Sequence, residues 1–205
     1  MEAIENVPST APGGRIASRL WTAARTEFAT RGYHGARVQG IAKRAGCNVA
    51  LLYRHWASKR ALYVEILKTI WQDGAKEIGA RVDATGGAHG VVSAYLETRM
   101  KDPEASQIVI RELLDGGPFL REIATADPSV LAPTRRLADA LRAGNGHGLR
   151  GGVDAEMAVL TVAGFAALVG AAHESAQPLF PGGAPSSDAW RSHVTDLLLH
   201  GLEAS

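Results

Sequence analysis

"GCNVALLYRHWASKRAL", residues 46–62, places a glycine and an asparagine ahead of a short apolar run, then mixes apolar and cationic side chains with no acid among them. Gly46 suits a tight turn, and Asn48 is a good N-cap for a helix from about Val49 to Trp56. At helical spacing Leu52 and Trp56 share one face, which Ala45 and Cys47 complete as a small core. The opposite face carries Val49, Ala50, Tyr53 and Arg54. Short side chains permit close approach to a major groove, while a phenol and a guanidinium reach phosphates or base edges. Ser58 caps a longer helix through Leu62, Ile66 and Ile70. Lys59 and Arg60 stand in its first turn, where the helix dipole disfavours cations, so an anion such as phosphate would settle them there.

Outward from this stretch, Val38, Ile41, Ala42 and Ala45 mark a helix of about two turns, and the pair forms a helix-turn-helix unit. Before it, Ile16, Leu20, Ala24 and Phe28 fall four apart, an amphipathic helix stopped at "TRGY", with Gly32 left-handed and Tyr33 folded back onto the last turn. Residues 1–14, with Pro8, Pro12 and a glycine pair, read as a mobile arm. Downstream, "RVDATGGAHG" at 81–90 is expected to be a Gly-rich connection. Val92, Tyr95, Leu96 and Met100 then form a stripe, and Pro103 opens a helix with Ile108, Val109 and Leu113. A short helix in "GGPFLREIA" precedes one from about 128 to 143, the "GNGHGLRGG" loop, and an apolar helix from Asp154 to His173. After a loop at 177–187 the last helix carries Trp190, Val194, Leu197, Leu198 and Leu202 on one face. No alternating run of strand length occurs, so the fold is read as all-α with about nine helices.

The chain has 205 residues, 46% of them hydrophobic and 21% charged. Net charge is +1, but residues 13–68 carry +9, residues 69–205 carry −6 and the first twelve −2. A basic first third on an acidic remainder points to a polyanion partner for that third. One cysteine excludes an intramolecular disulfide and a multi-cysteine metal site. The seven histidines are scattered, and neither a nucleophile elbow, a phosphate-binding glycine loop nor HExxH spacing occurs, so neither catalysis, a metal nor a cofactor is expected. Residues 1–14 lack an apolar core, and the apolar run Met157 to Ala172 falls short of the roughly 20 residues of a membrane span. A cytoplasmic protein without membrane contact is expected.

The segment "AARTEFATRGYHGARVQGIAKRAGCNVALLYRHWASKRAL" resembles the N-terminal DNA-binding domain of the TetR (tetracycline-repressor-like) family of bacterial regulators. The likeness rests on Ala24, Phe28, Gly32-Tyr33, Val38, Ile41-Ala42, Ala45-Gly46, Leu52-Tyr53, His55, Trp56, Lys59 and Leu62. It implies a three-helix DNA-binding domain over 15–62 and a helical effector-binding and dimerisation domain over 63–205. By position it brings Val38 and Gln39 to the DNA backbone, turns Val49, Ala50, Leu51 and Arg54 to the bases, and gives phosphates to Tyr53, His55 and Lys59. Arg37 stands where the family places a Thr cap, Gly40 lies inside the second helix, Ala50 replaces a Gly, and Leu51 holds an often polar position.

The resemblance further implies that the last two helices pair with their copies in a homodimer on a (pseudo)palindromic operator in double-stranded DNA. It also implies that the middle helices enclose an effector pocket. Trp71, Tyr95, Arg99, Met100 and Phe165 are its candidates, large side chains with one cation among them, which suit a small and mostly apolar effector carrying an acidic group. The reading is a sequence-specific transcriptional regulator, a repressor released by its effector, localised to the cytoplasm and the nucleoid. The alternatives are a helix-turn-helix that binds protein and a nonspecific DNA binder without an effector.

Overall fold

The computed structural model describes residues 14–85, 87–143, 152–173, 175–183 and 185–202. The arm expected at 1–14, save Gly14, and nearly all of the loop at 144–152 lie outside them. Among the described residues there are ten α-helices, one more than expected, and no strand. They are α1 (Arg15–Gly35), α2 (Val38–Arg44), α3 (Val49–His55), α4 (Lys59–Thr85), α5 (Gly87–Lys101), α6 (Pro103–Leu114), α7 (Pro118–Ala126), α8 (Ala132–Ala143), α9 (Ala155–Ala172) and α10 (Ser187–Leu202). Two 3-10 turns, Pro128–Leu131 and Gln177–Leu179, precede α8 and α10.

The chain divides into two compact units, ending and beginning at Thr69 and Ile70. The first is built on α1, whose Leu20, Ala24 and Phe28 are buried as their spacing predicts, whereas Ile16 in the first turn is 38% exposed. Gly32 (φ 66°) kinks α1. Tyr33 folds back so that its ring lies 6.5 Å from that of Phe28 and 5.0 Å from that of Tyr63. The Phe28–Tyr63 pair meets edge-on at 4.8 Å, and Leu62, Ile66 and Leu67 are buried beside it. The first turns of α4 therefore belong to this core, past the boundary expected at residue 62.

In the second unit, α9 is the central helix, packed against α5, α6 and α8, while α10 packs on α5. Its composition would suit a membrane span, with a mean hydropathy of 1.8, yet eight of its residues, Val159, Val162 and Ala166 among them, are buried inside the unit. Gly170 permits the closest approach: a Cβ there would stand 2.4 Å from the Arg99 carbonyl oxygen and 2.6 Å from Ser106 Oγ. Ser106 Oγ donates to that carbonyl at 2.8 Å, pinning α6 to the end of α5. Asp102 caps α6 by accepting the Ala105 N–H at 3.0 Å, with Pro103 opening the helix as expected.

The Gly-rich connection expected at 81–90 is instead mostly helix, with α4 running to Thr85 and α5 starting at Gly87. Ile78 and Val82 on α4, and Ala88, Val91 and Val92 on α5, keep helical spacing within each helix, and all five are buried in one core. Apolar periodicity outweighs the glycines, and Gly87 (φ 59°) marks the break. On α10, Val194 is buried but Leu197 is 58% exposed, so the expected single apolar face is split between core and solvent. The side chain of Leu202 lies outside the described residues.

Candidate functional site

In the first unit, α2, a turn and α3 form the helix-turn-helix. The Cys47 N–H donates to the Ala42 carbonyl at 3.0 Å and the Gly46 N–H to that of Lys43 at 3.1 Å. With Gly46 left-handed (φ 61°) this is a Schellman ending, and a Cβ at Gly46 would also lie 2.4 Å from Arg19 Nη2. Asn48 Oδ1 then accepts the Leu51 N–H at 3.0 Å and starts α3. No side chain caps α2, because Arg37 supplies none where Asn48 does so for α3.

Leu52 anchors α3 with no exposed area, and Trp56, buried just after it, lies 6.4 Å from Trp21. The Trp56 indole N–H donates to Glu65 Oε2 at 2.8 Å. Ala45 is buried and Cys47 half-buried beside them. The other face is open: Ala50, Tyr53, Arg54 and His55 are exposed, with Val49 and Leu51 half-buried. On α2, Gln39 is exposed and Val38 half-buried. All of these positions lie on the two short helices, where locked core residues alternate with outward ones.

Two features of this unit were hidden in the sequence. Glu27 is a buried carboxylate paired with Arg31 (3.2 Å) and Arg44 (3.8 Å), and a Cβ at Gly40 would come within 2.8 Å of its Oε1. The helix-weakening glycine inside α2 thus makes room for an ion-paired acid from α1. Lys59, read as half of an anion site, gives two of its three N–H donors to the Tyr33 and Ala36 carbonyls at 2.8 and 3.0 Å and lies 4.5 Å over the Tyr33 ring. The end of α1, rather than a bound anion, occupies most of its ammonium. Ser58 caps α4 as expected, accepting the Ala61 N–H at 3.0 Å.

The second unit contains a cavity of about 290 Å³ walled by α4, α5, α6, α8 and α9. Of the five residues expected around a pocket, Trp71, Tyr95 and Arg99 line it. Met100 does not: it borders a smaller groove with Glu97, Lys101, Ser187 and Arg191. Phe165 packs against the core cluster instead. The sequence reading missed the apolar wall, which includes Ile78, Val109, Leu137 and Leu160, and the small residues Ala163 and Gly164.

Among the described residues Arg99 is the one charged side chain on that wall. It is 7% exposed, its Nε has no hydrogen-bond partner, and among the described residues no carboxylate pairs with it. Burial pushes its pKa below the usual arginine value, against the weaker pull of Tyr95, Asp102 and Glu77. Burial likewise pushes the Tyr95 phenol up to about 12 in spite of Arg99, so it is a neutral donor near pH 7. A second, more polar cavity of about 370 Å³ lies across Trp71, Ala75, Pro133 and Leu137, which line both. The Trp71 indole N–H donates to the Val130 carbonyl at 3.1 Å, holding this partition in place. Among the described residues no group of three His, Cys, Asp or Glu is placed to hold a metal ion.

Comparison with known proteins places this geometry. Residues 20–66 match the model for bacterial regulatory proteins of the tetR family. Over 115 residues the chain is 30% identical to the HTH-type transcriptional regulator RutR of Escherichia coli K12, a match spanning about half of each protein, 55% of this chain and 54% of RutR. The whole fold is similar to that of the ketosteroid transcriptional regulator KstR2 of Mycobacterium tuberculosis, at 19% identity and TM-score 0.71, covering 98% of this chain and 100% of that one. It is also similar to the transcriptional regulator FadR of Bacillus subtilis in complex with stearoyl-CoA, at 19% identity and TM-score 0.66, covering 89% and 97%. Residues 20–66, which contain the helix-turn-helix, are a domain of the tetR family of bacterial regulatory proteins.

Proposed function

We propose that the protein is a DNA-binding transcriptional regulator, a repressor that acts as a homodimer and is released from a palindromic operator by a small, mostly apolar effector. The observation that carries this reading is the two-sided α3: Leu52 is sealed in the core while Tyr53, Arg54 and His55 stand in solvent on a segment of charge +9. Val49, Ala50, Leu51 and Arg54 are assigned to base edges. Val38, Gln39, Tyr53, His55 and the remaining Lys59 donor are assigned to the phosphate backbone, which sets register.

A single short helix offers too few contacts for tight specific binding, so two copies are needed. The exposed Met157, Leu160 and Leu168 on α9 and Leu197 on α10 supply an apolar surface for the second copy. The Arg99 cavity supplies the effector site. Effector binding then shifts the population toward a state that does not hold the operator. The protein works in the cytoplasm, on DNA, and no catalysis is assigned to it.

The test is fluorescence anisotropy of the purified protein against its own upstream intergenic DNA and a scrambled duplex, titrated with salt. Preference for the native fragment with affinity falling steeply as salt rises is expected, and Arg54→Ala should lower that affinity. Equal binding to both duplexes would identify a nonspecific binder. No binding at low salt would leave the helix-turn-helix as a protein-interaction module.

A further inference from the structure

We infer that the Arg99 cavity takes a compact amphipathic monocarboxylate, its carboxylate on the Arg99 guanidinium and its apolar body against α8 and α9. This rests on the reading of that cavity as the effector site and names the chemistry of its ligand. The guanidinium is held in place without being neutralised. Ser106 Oγ bonds the Arg99 carbonyl at 2.8 Å, Gly170 lets α9 press on the same backbone, and a Cβ on Gly74 would lie 3.4 Å from Arg99 Nη2. Glu77, the acid on α4 whose charge reaches Arg99, is paired with Arg81 and Lys101 instead. A buried cation whose Nε lacks a partner, on the wall of an otherwise uncharged cavity, is completed by an anion that brings its own apolar surface.

The wall also sets the charge and size of the ligand. One cation balances one negative charge, and a dicarboxylate or phosphate monoester would bury a second charge with nothing to meet it. An ammonium would face Arg99 with like charge. Tyr95, four residues before Arg99 on α5, lines the same cavity with a neutral phenol that can donate to the second carboxylate oxygen. About 290 Å³ lies at the small end of ligand cavities, which typically run roughly 300–1,000 Å³. The body is therefore a short aliphatic chain or a single ring rather than a long acyl chain.

The test is calorimetric titration of the full chain with butanoate, hexanoate, octanoate, benzoate and phenylacetate, each beside its primary amide. For the carboxylate that binds best, affinity about ten-fold or more above its amide is expected, and Arg99→Gln should bring the two within about two-fold without weakening the amide. Gly164→Leu should abolish both, because a Cβ on Gly164 meets nothing within 4 Å and the added side chain fills the space. A wild-type protein that binds acid and amide equally, with Gly164→Leu blocking both, overturns the carboxylate and leaves the cavity as a ligand site. Binding of no probe, or binding indifferent to Gly164→Leu, overturns the cavity reading and the carboxylate with it. The wild-type ratio and Gly164→Leu decide the matter even where Arg99→Gln fails to fold.

Discussion

Replacing Arg99 with Met should make the ligand-free protein more stable. Arg99 is 7% exposed, pairs with no carboxylate among the described residues, and leaves its Nε without a partner. A buried polar group in that position costs about 1–3 kcal/mol that an apolar side chain does not incur. Met matches the length of the arginine stem and adapts to irregular space, so the swap should leave no large void. The loss is limited to the through-space pull of Asp102 and Glu77, weaker than the burial that opposes it. The expected net gain is about 1–3 kcal/mol, or some 2–12 °C in the melting transition at roughly 2–4 °C per kcal/mol. Urea denaturation followed by circular dichroism measures it, at one fixed protein concentration so that self-association does not enter the comparison. A rise in midpoint at unchanged slope is the predicted result. Destabilisation by more than about 1 kcal/mol would refute the reasoning, since removing a group costs that much only when the fold already satisfies it.

Gly170→Ala should destabilise by about 1–3 kcal/mol in the same assay although alanine is the better helix former, because the new methyl meets the Arg99 carbonyl at 2.4 Å; equal or higher stability would mean that α9 yields freely. Gly40→Ala should bring no gain in the wild-type background, where its Cβ falls 2.8 Å from Glu27 Oε1, but about 1 kcal/mol in a Glu27→Ala background; additivity of the two substitutions would show that Glu27 does not constrain α2. The Tyr95 phenol keeps its proton to about pH 12 when folded, whereas the unfolded chain releases it near pH 10. Between those values the folded state binds the extra proton, so the stability from this group is complete below pH 10 and is lost as pH rises through about 12. Tyr95 should accordingly ionise late in an ultraviolet titration, and Tyr95→Phe should reduce the late amplitude by one tyrosine.

Most of the helix-turn-helix was legible because its rules are local. Caps, a left-handed glycine and a four-residue apolar spacing involve residues within one or two turns of each other, and Asn48, Ser58, Gly46, Leu52 and Trp56 all sit as those rules require. What the sequence did not show in that unit is tertiary. Lys59 bonds a carbonyl 26 residues earlier, and Glu27 on α1 explains a glycine on α2. Neither pairing leaves a trace in the spacing of nearby residues. The exposed face of α3 was equally legible, but which of its side chains meets a base is a property of the complex rather than of the chain.

The cavity was legible in one respect only. A search for large side chains finds what fills space, whereas a cavity is bounded where side chains are small. Ala163 and Gly164 form its wall on α9, while Phe165, one residue on, packs against the core. Arg99 lines the cavity, whereas Met100, the next residue on α5, borders a different groove. What did show was Arg99 as the one cation among the five candidates, and the structure adds its misfit. Arg99 falls among Val92, Tyr95 and Leu96, buried positions where periodicity calls for an apolar residue and local packing gives no reason for a cation. A residue that contradicts its own element's pattern, and whose removal should stabilise the fold, is most simply accounted for by what it binds.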